Sequence, residues 1–242
     1  MFAIFNGFLL RFRDFSLAFT FCKWYSCLSV SNTYISYSKE NVIMSQLTDL
    51  VQSRRTRYAI GNNTELTKEE ITARLRKVAR EIPTASNSQT SRLVLVFGEN
   101  NEKLWGHILD VQKDVMPAEM WEMMSGVMLG AKGAVGTVLF FEDLDAVEAM
   151  PAKGERAETY KQHNNANLQF ATWLALTELG LGASLQHMNV GHKEGFDKSI
   201  LELFDLPANY ELVAQMPFGS IEGDAYPKEY IADGVRVQVI GE

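Results

Sequence analysis

Ser53-Arg54-Arg55-Thr56-Arg57 and, about thirty residues on, Pro83-Thr84-Ala85-Ser86-Asn87-Ser88-Gln89 are the two stretches on which the reading of this chain turns. Three arginines crowd the end of a short amphipathic segment, and guanidinium forks suit bidentate capture of phosphate oxygens. The second stretch offers hydroxyl, carboxamide and backbone donors in a turn-rich run that a packed core tolerates only when those groups have partners. Together they describe a site for a phosphorylated cofactor with a polar rim. Each alone has a plainer reading. Basic triplets usually decorate a solvated helix end, and Pro, Ser, Thr and Asn favour turns for local reasons.

The 242 residues are 46% hydrophobic and 22% charged, the balance of one globular domain with a sizeable core. The formal charge is −7, and −9 for the residues after position 43. That excludes the basic footprint of a nucleic-acid binder, and the arginine cluster stands out against an acidic background. Both cysteines, Cys22 and Cys27, fall early, leaving the rest without a disulfide framework or thiolate nucleophile, which implies a reducing, cytoplasmic setting. His107, His163, His187 and His192 form neither an HExxH pair nor a cluster with cysteine, so no metal site is expected.

Residues 1–43 are rich in Phe, Tyr and Ser, but Arg11, Arg13, Asp14 and Lys23 interrupt every apolar run short of the ~18 residues a membrane span needs. Charges between the runs Phe2–Leu10 and Phe15–Cys22, and no small-x-small site after them, argue against a signal peptide. We expect an N-terminal extension over 1–43 that adds nothing to the core, and one domain over 44–242.

Within that domain, Leu47, Leu50 and Val51 predict a short helix that delivers the arginines. Thr67-Lys68-Glu69-Glu70 is a capping-box pattern, followed on one face by Ile71, Leu75, Val78, Ala79 and Ile82 until Pro83 stops the helix. Leu93–Phe97 reads as a strand, and Glu102–Lys113 and Pro117–Leu129 as helices. Ala134–Phe141 is an apolar run fit for a strand buried on both faces. Ala157–Leu179 is a long helix, apolar nearly all round in its second half as if crossing the middle of the domain, and ended by Gly180 and Gly182. Short elements follow: a strand over Ala183–Met188, a helix over Lys198–Phe204, a strand over Tyr210–Met216 and an alternating strand over Val235–Ile240. Interleaved helices and strands, with no repeat, imply an α+β domain with a mixed or mostly antiparallel sheet flanked by helices.

In order and spacing, the chain resembles the nitroreductase family of flavoproteins, in particular the small branch related to the fatty-acid-repression proteins of yeast and bacteria. The resemblance runs from about Met44 to Ile240. It is carried by Arg54-Arg55-Thr56, by Pro83–Gln89, by Gly180-Leu181-Gly182-Ala183-Ser184-Leu185-Gln186-His187 and by Gln215-Met216-Pro217-Phe218-Gly219. It implies a homodimer of the nitroreductase-like fold with FMN at the subunit interface. By that likeness Arg54 and Arg55 hold the FMN phosphate and ribityl end and Thr56 adds a hydroxyl. Asn87 and Gln89 contact the ring or ribityl chain, the backbone around Leu185, Gln186 and His187 faces the ring near N5 and O4, and Lys228 or Arg236 completes the phosphate site.

The wider family often carries Lys or Arg three places after the second arginine, close to flavin N1 and O2, where this chain has Tyr58 and has Arg57 one place early. Two-electron reduction leaves negative charge on that edge, so a strong donor is wanted there. The glycines at 180 and 182 close a helix, whereas a dinucleotide fingerprint opens one. A lone His187 reads as a structural donor before it reads as a general acid. Trp105, Trp121, Trp173 and Met116, Met120, Met123, Met124 and Met128 read as core or interface filling, or as an adaptable wall for flat substrates. The implied activity is an FMN-dependent transfer of hydride from NADH or NADPH, with electrons passed to a nitroaromatic or quinone and no protein nucleophile required. The alternative is a flavin-binding regulatory or sensor protein in which turnover is incidental.

Overall fold

The computed structural model describes residues 2–5, 8–11, 46–188 and 196–241; Cys22, Cys27 and His192 lie outside the described residues. The chain divides into two units, 1–43 and 44–242. In the first, β1 (Phe2–Phe5) pairs antiparallel with β2 (Phe8–Arg11). In the second, the elements run α1 (Gln46–Ser53), β3 (Ile60–Gly61), α2 (Lys68–Glu81), β4 (Ser91–Phe97), α3 (Glu99–Val115), α4 (Ala118–Lys132), β5 (Gly136–Asp143) and α5 (Leu144–Glu148). They continue with α6 (Glu155–Glu178), β6 (Gly182–Ala183), α7 (Phe196–Leu203), β7 (Tyr210–Ile221) and α8 (Asp233–Arg236).

The sheet of the second unit has the order β3-β7-β5-β4, with β6 also on β7, and its strand pairs are all antiparallel. β5 sits between β4 and β7 and is buried from Gly136 through Glu142. Its apolar run follows from burial on both faces. Val138 and Phe140 pack with Ile71, Leu75, Leu168 and Leu176 from α2 and α6, while Leu139 and Phe141 pack with Leu104, Trp105, Ile108 and Met128 from α3 and α4. Successive side chains of one strand thus build two cores, one on each side of the sheet.

Local sequence sets the helices as expected. Thr67 and Glu70 form the reciprocal cap of α2: the Glu70 N–H donates to Thr67 Oγ1 (3.2 Å) and the Thr67 N–H to Glu70 Oε2 (2.8 Å). The buried positions of α6 (Ala157, Lys161, Asn164, Asn165, Leu168, Thr172, Ala175, Leu176) recur at helical spacing on a single face. The helix therefore lies on the sheet with one side outward, where Phe170 is exposed, and does not cross the domain's middle. In α1 the apolar residues Leu47 and Val51 are likewise exposed. Met116 and Met128 are core, whereas Met120 and Met123 on α4 face outward.

Two strand expectations are corrected. Of Ala183–Met188 only Ala183 lies in a ladder, as the second residue of Gly182–Ala183, although Gln186 bridges Gln215 in the same register. The break lies opposite Pro217. Its carbonyl accepts from the Ser184 N–H (3.3 Å), and a residue's N–H and C=O leave an antiparallel strand on the same side, so no N–H is returned to β6. The same geometry lets β7 run through the proline, five residues past Met216, with its pairing to β5 continuous from Val138–Met216 through Thr137–Pro217 to Gly136–Phe218. The alternating Val235–Ile240 segment starts instead inside the short helix α8, closed by the Val237 N–H on the Asp233 carbonyl (2.8 Å), and residues 237–240 pair with no described strand. Alternation specifies a strand only where a partner is within reach.

Candidate functional site

The arginine segment leaves α1 and runs into the sheet edge. The Arg57 N–H donates to the Ala183 carbonyl (2.9 Å), and Thr56 bridges Ala183 in parallel. This fixes Arg54–Tyr58 beside β6 and the segment Leu185–His187 that follows it.

Arg54 turns back onto α6, its Cζ 4.4 Å from the centre of the Trp173 ring. Burial, and then the charge of Arg55 beside it, hold its pKa below the usual arginine value. The Nε atoms of both Arg54 and Trp173 are buried donors with no hydrogen-bond partner among the described residues. Arg55 donates to the Tyr226 carbonyl and Arg57 to the Gly223 carbonyl (2.8 Å), so both tie down the segment after β7. Arg57 is thus committed to the backbone, and Tyr58, 38% exposed with its ring 6.0 Å from that of Tyr226, is the group presented at the neighbouring slot.

Pro83–Gln89 forms a tight turn in which Ser86, Asn87 and Gln89 all have left-handed backbones (φ 54°, 52° and 47°). Such conformations cost energy in non-glycine residues and persist where surroundings impose them. Asn164 of α6 imposes them here. Its Oδ1 accepts from the Ala85 N–H (2.8 Å) and its Nδ2 donates to Ser88 Oγ (3.0 Å) and Thr90 Oγ1 (3.2 Å). The Gln89 N–H adds a bond to Thr84 Oγ1 (3.1 Å). The outcome is an exposed pair of carboxamides, with Gln89 Nε2 donating to Asn87 Oδ1 at 3.2 Å.

At the third block, Gln186 is buried and exchanges both backbone bonds with Gln215 (2.7 and 2.9 Å), while its Nε2 donates to Ser184 Oγ (3.0 Å). Both of its backbone groups and its side-chain nitrogen are thus engaged. The backbones of Leu185 and His187 face the other way, and neither has a backbone partner among the described residues. The His187 side chain is exposed. Lys228 lies two residues past Tyr226 with its ammonium 4.9 Å from the Tyr230 ring centre, and Arg236 sits exposed on α8.

The structure therefore brings Arg54, Arg55, Thr56 and Tyr58 together with Leu185–His187, and Arg55 with the segment that carries Lys228. It does not bring the Asn87–Gln89 turn to them within one chain. The turn is anchored at Asn164 and the arginine at Trp173, nine residues apart on α6, or about 14 Å along its axis. Sequence reasoning missed Asn164 and the stacking of Trp173. A polar Asn164-Asn165 pair on the buried stripe of a helix was a readable signal for the first, whereas a stack between residues 119 positions apart has none.

The Nitroreductase family matches residues 51–220, and the chain belongs to that family of oxidoreductases. Among its relatives, HBN1 of Saccharomyces cerevisiae is 30% identical over 191 residues, 76% of this chain and 93% of that protein. Nitroreductase FRM2 of the same yeast is 30% identical over 164 residues, 66% of this chain and 79% of the other. Nitroreductase CinD from Lactococcus lactis, solved in complex with chloramphenicol and with 4-nitrophenol, is 32% identical with TM-scores of 0.70 and 0.69 over 81% of this chain and all of its own. The α+β fold is thus the nitroreductase fold. No described helix is long and apolar enough to cross a membrane, and no described group of three His, Cys, Asp or Glu is placed to hold a metal.

Proposed function

We propose that residues 44–242 form an FMN-dependent oxidoreductase that takes electrons from NADH or NADPH and delivers them to a flat nitroaromatic or quinone acceptor, working as a homodimer with FMN between its subunits. The observation that carries the FMN assignment is the pair of arginines beside two buried, unpartnered donors, Arg54 Nε and Trp173 Nε1. Buried donors of that kind call for an acceptor, and two guanidiniums select an anionic one such as a phosphate.

Bound FMN supplies the redox chemistry, accepting two electrons from the nicotinamide and releasing them to the acceptor. The protein's part is binding, orientation and charge. Arg54 and Arg55 grip the phosphate, with Thr56 adding a hydroxyl. Tyr58 offers its phenol near the N1–O2 edge, since Arg57 is held by Gly223. The outward backbones of Leu185 and His187 line the ring, and Gln186 holds them to β7. The Asn87 and Gln89 carboxamides stand too far along α6 from their own chain's arginines, which supports their delivery by the partner subunit across a two-fold axis. Lys228 is the better of the two C-terminal candidates for the phosphate, because Arg55 already holds the segment it follows. Two of the three CinD ligands, chloramphenicol and 4-nitrophenol, are nitroaromatic and support the acceptor class; the third is nicotinic acid.

The test is an absorbance spectrum of purified protein under nitrogen, before and after NADH or NADPH. The expected result is a yellow protein that bleaches and then shows ping-pong turnover with a nitroaromatic. A colourless preparation that takes up no FMN removes the reading, and flavin that binds without bleaching turns it into the regulatory alternative.

A further inference from the structure

A second site lies apart from the arginine segment, between α6 and the β5–β7 part of the sheet. A cavity of about 390 Å³ is lined there by Glu142, Glu158, Lys161, Asn165, Gln169 and Glu211, within the ~300–1,000 Å³ usual for small-ligand sites. Glu142 stands opposite Glu211 in register and is fully buried. Its Oε1 accepts from Ser91 Oγ (2.5 Å) and Asn165 Nδ2 (2.7 Å). Its Oε2, equally buried, has no hydrogen-bond partner among the described residues.

A carboxylate oxygen withdrawn from water without a donor is costly, so the cavity beside it is where a donor belongs. Lys161 is not that donor. Its ammonium is held by Glu211 (2.8 Å) and Glu158 (2.9 Å). Three carboxylates around one ammonium leave two negative charges facing the space. They do not converge as metal ligands do, since no described group of three His, Cys, Asp or Glu is placed to hold an ion. Carboxylates spread along a cavity suit an organic cation with directional N–H donors, not a bare metal ion.

We propose that this cavity binds a small organic cation bearing N–H donors, a primary ammonium or a guanidinium, with one N–H on Glu142 Oε2 and its charge shared with Glu158 and Glu211. The site is independent of FMN binding at the arginine segment.

Calorimetric titration of the full chain with 1,4-diaminobutane and with agmatine tests this, with tetramethylammonium as a cation that has no N–H. Saturable one-to-one binding of a donor-bearing cation is expected, with none for tetramethylammonium. Glu142→Gln keeps the shape but puts a donor or a neutral acceptor where the charge stood, and should weaken binding about ten- to hundredfold. Should that variant fail to fold, Glu158→Gln at the half-exposed rim should weaken it about threefold. Absence of saturable binding, equal binding of tetramethylammonium, an affinity unmoved in the folded variants, or a crystal structure of the titrated protein with only water on Glu142 Oε2 would overturn the proposal.

Discussion

The Arg54 guanidinium lies over Trp173, its Cζ 4.4 Å from the ring centre, and the Nε atoms of the two residues are both buried without a partner among the described residues. Stacking steadies a guanidinium while leaving its in-plane N–H groups free. Trp173 thus holds Arg54 ready for an anion.

Replacing Trp173 by Leu removes the stack but keeps an apolar filler. At about 1 kcal/mol for a partly desolvated cation–π contact, FMN dissociation from the apoprotein should rise about fivefold. Trp173→Phe should recover most of the loss. Flavin fluorescence titration reads both, and an unchanged affinity in the leucine variant would show that the stack plays no part in binding.

Asn164 satisfies three groups of the strained turn at once. Asn164→Ala leaves a backbone N–H and two hydroxyls to find other partners, and should cost about 2 kcal/mol of stability. Asn164→Asp keeps the acceptor for the Ala85 N–H and lets the hydroxyls of Ser88 and Thr90 donate, so it should lose less. Urea midpoints of the two variants check the order. Equal midpoints would mean that the turn holds its left-handed residues unaided.

Gly219 faces a backbone, not a side chain: a Cβ there would lie 1.9 Å from the Gly61 carbonyl oxygen. Neither strand can yield without breaking the β3–β7 pairing. Gly219→Ala should therefore destabilise the domain by about 3 kcal/mol or more. A wild-type urea midpoint would contradict the close packing of these strands.

Much of this architecture was legible residue by residue. The capping box at Thr67, the double-sided burial of β5 and the proline stop at Pro83 are local rules that the tertiary structure obeys. What escaped depends on non-local pairing. Pro217 interrupts a ladder whose other strand lies some thirty residues earlier, and the Val235–Ile240 alternation had no means of announcing that it finds no partner strand among the described residues. The same holds for the site. Arg54, Arg55 and the exposed carboxamides were visible as chemistry, whereas the stack under Arg54, the capture of Arg57 by Gly223 and the anchoring of the turn by Asn164 are products of folding.

The ion pairs of Lys161 set a pH window. Hydrogen bonds from Lys161 and then Gln162 hold Glu158 below the usual carboxylate range, as the Thr67 backbone and then its hydroxyl do for Glu70. Their contribution is present above the unfolded carboxylate value, about 4.3, and is lost as pH falls through the lower folded values. For Lys161, burial pulls downward but the bonds to Glu211 and Glu158 outweigh it and hold the pKa above its ordinary value. That contribution is full below about 10.4 and is lost as pH rises through the higher folded value. Melting temperatures from pH 3 to 11.5 should show a plateau falling at both ends. Lys161→Met should lower the plateau and flatten both falls; parallel curves for the two proteins would contradict the pairing.

Uptake of FMN by the charge-reversed double variant Arg54→Glu, Arg55→Glu is the most direct measurement. Titration of apoprotein, followed by flavin absorbance and fluorescence, should show tight binding to the wild type and a loss of at least about a hundredfold in the variant, with circular dichroism recorded alongside to establish that the variant is folded. A folded variant that holds the flavin as tightly as the wild type would contradict the assignment of these arginines to the cofactor phosphate.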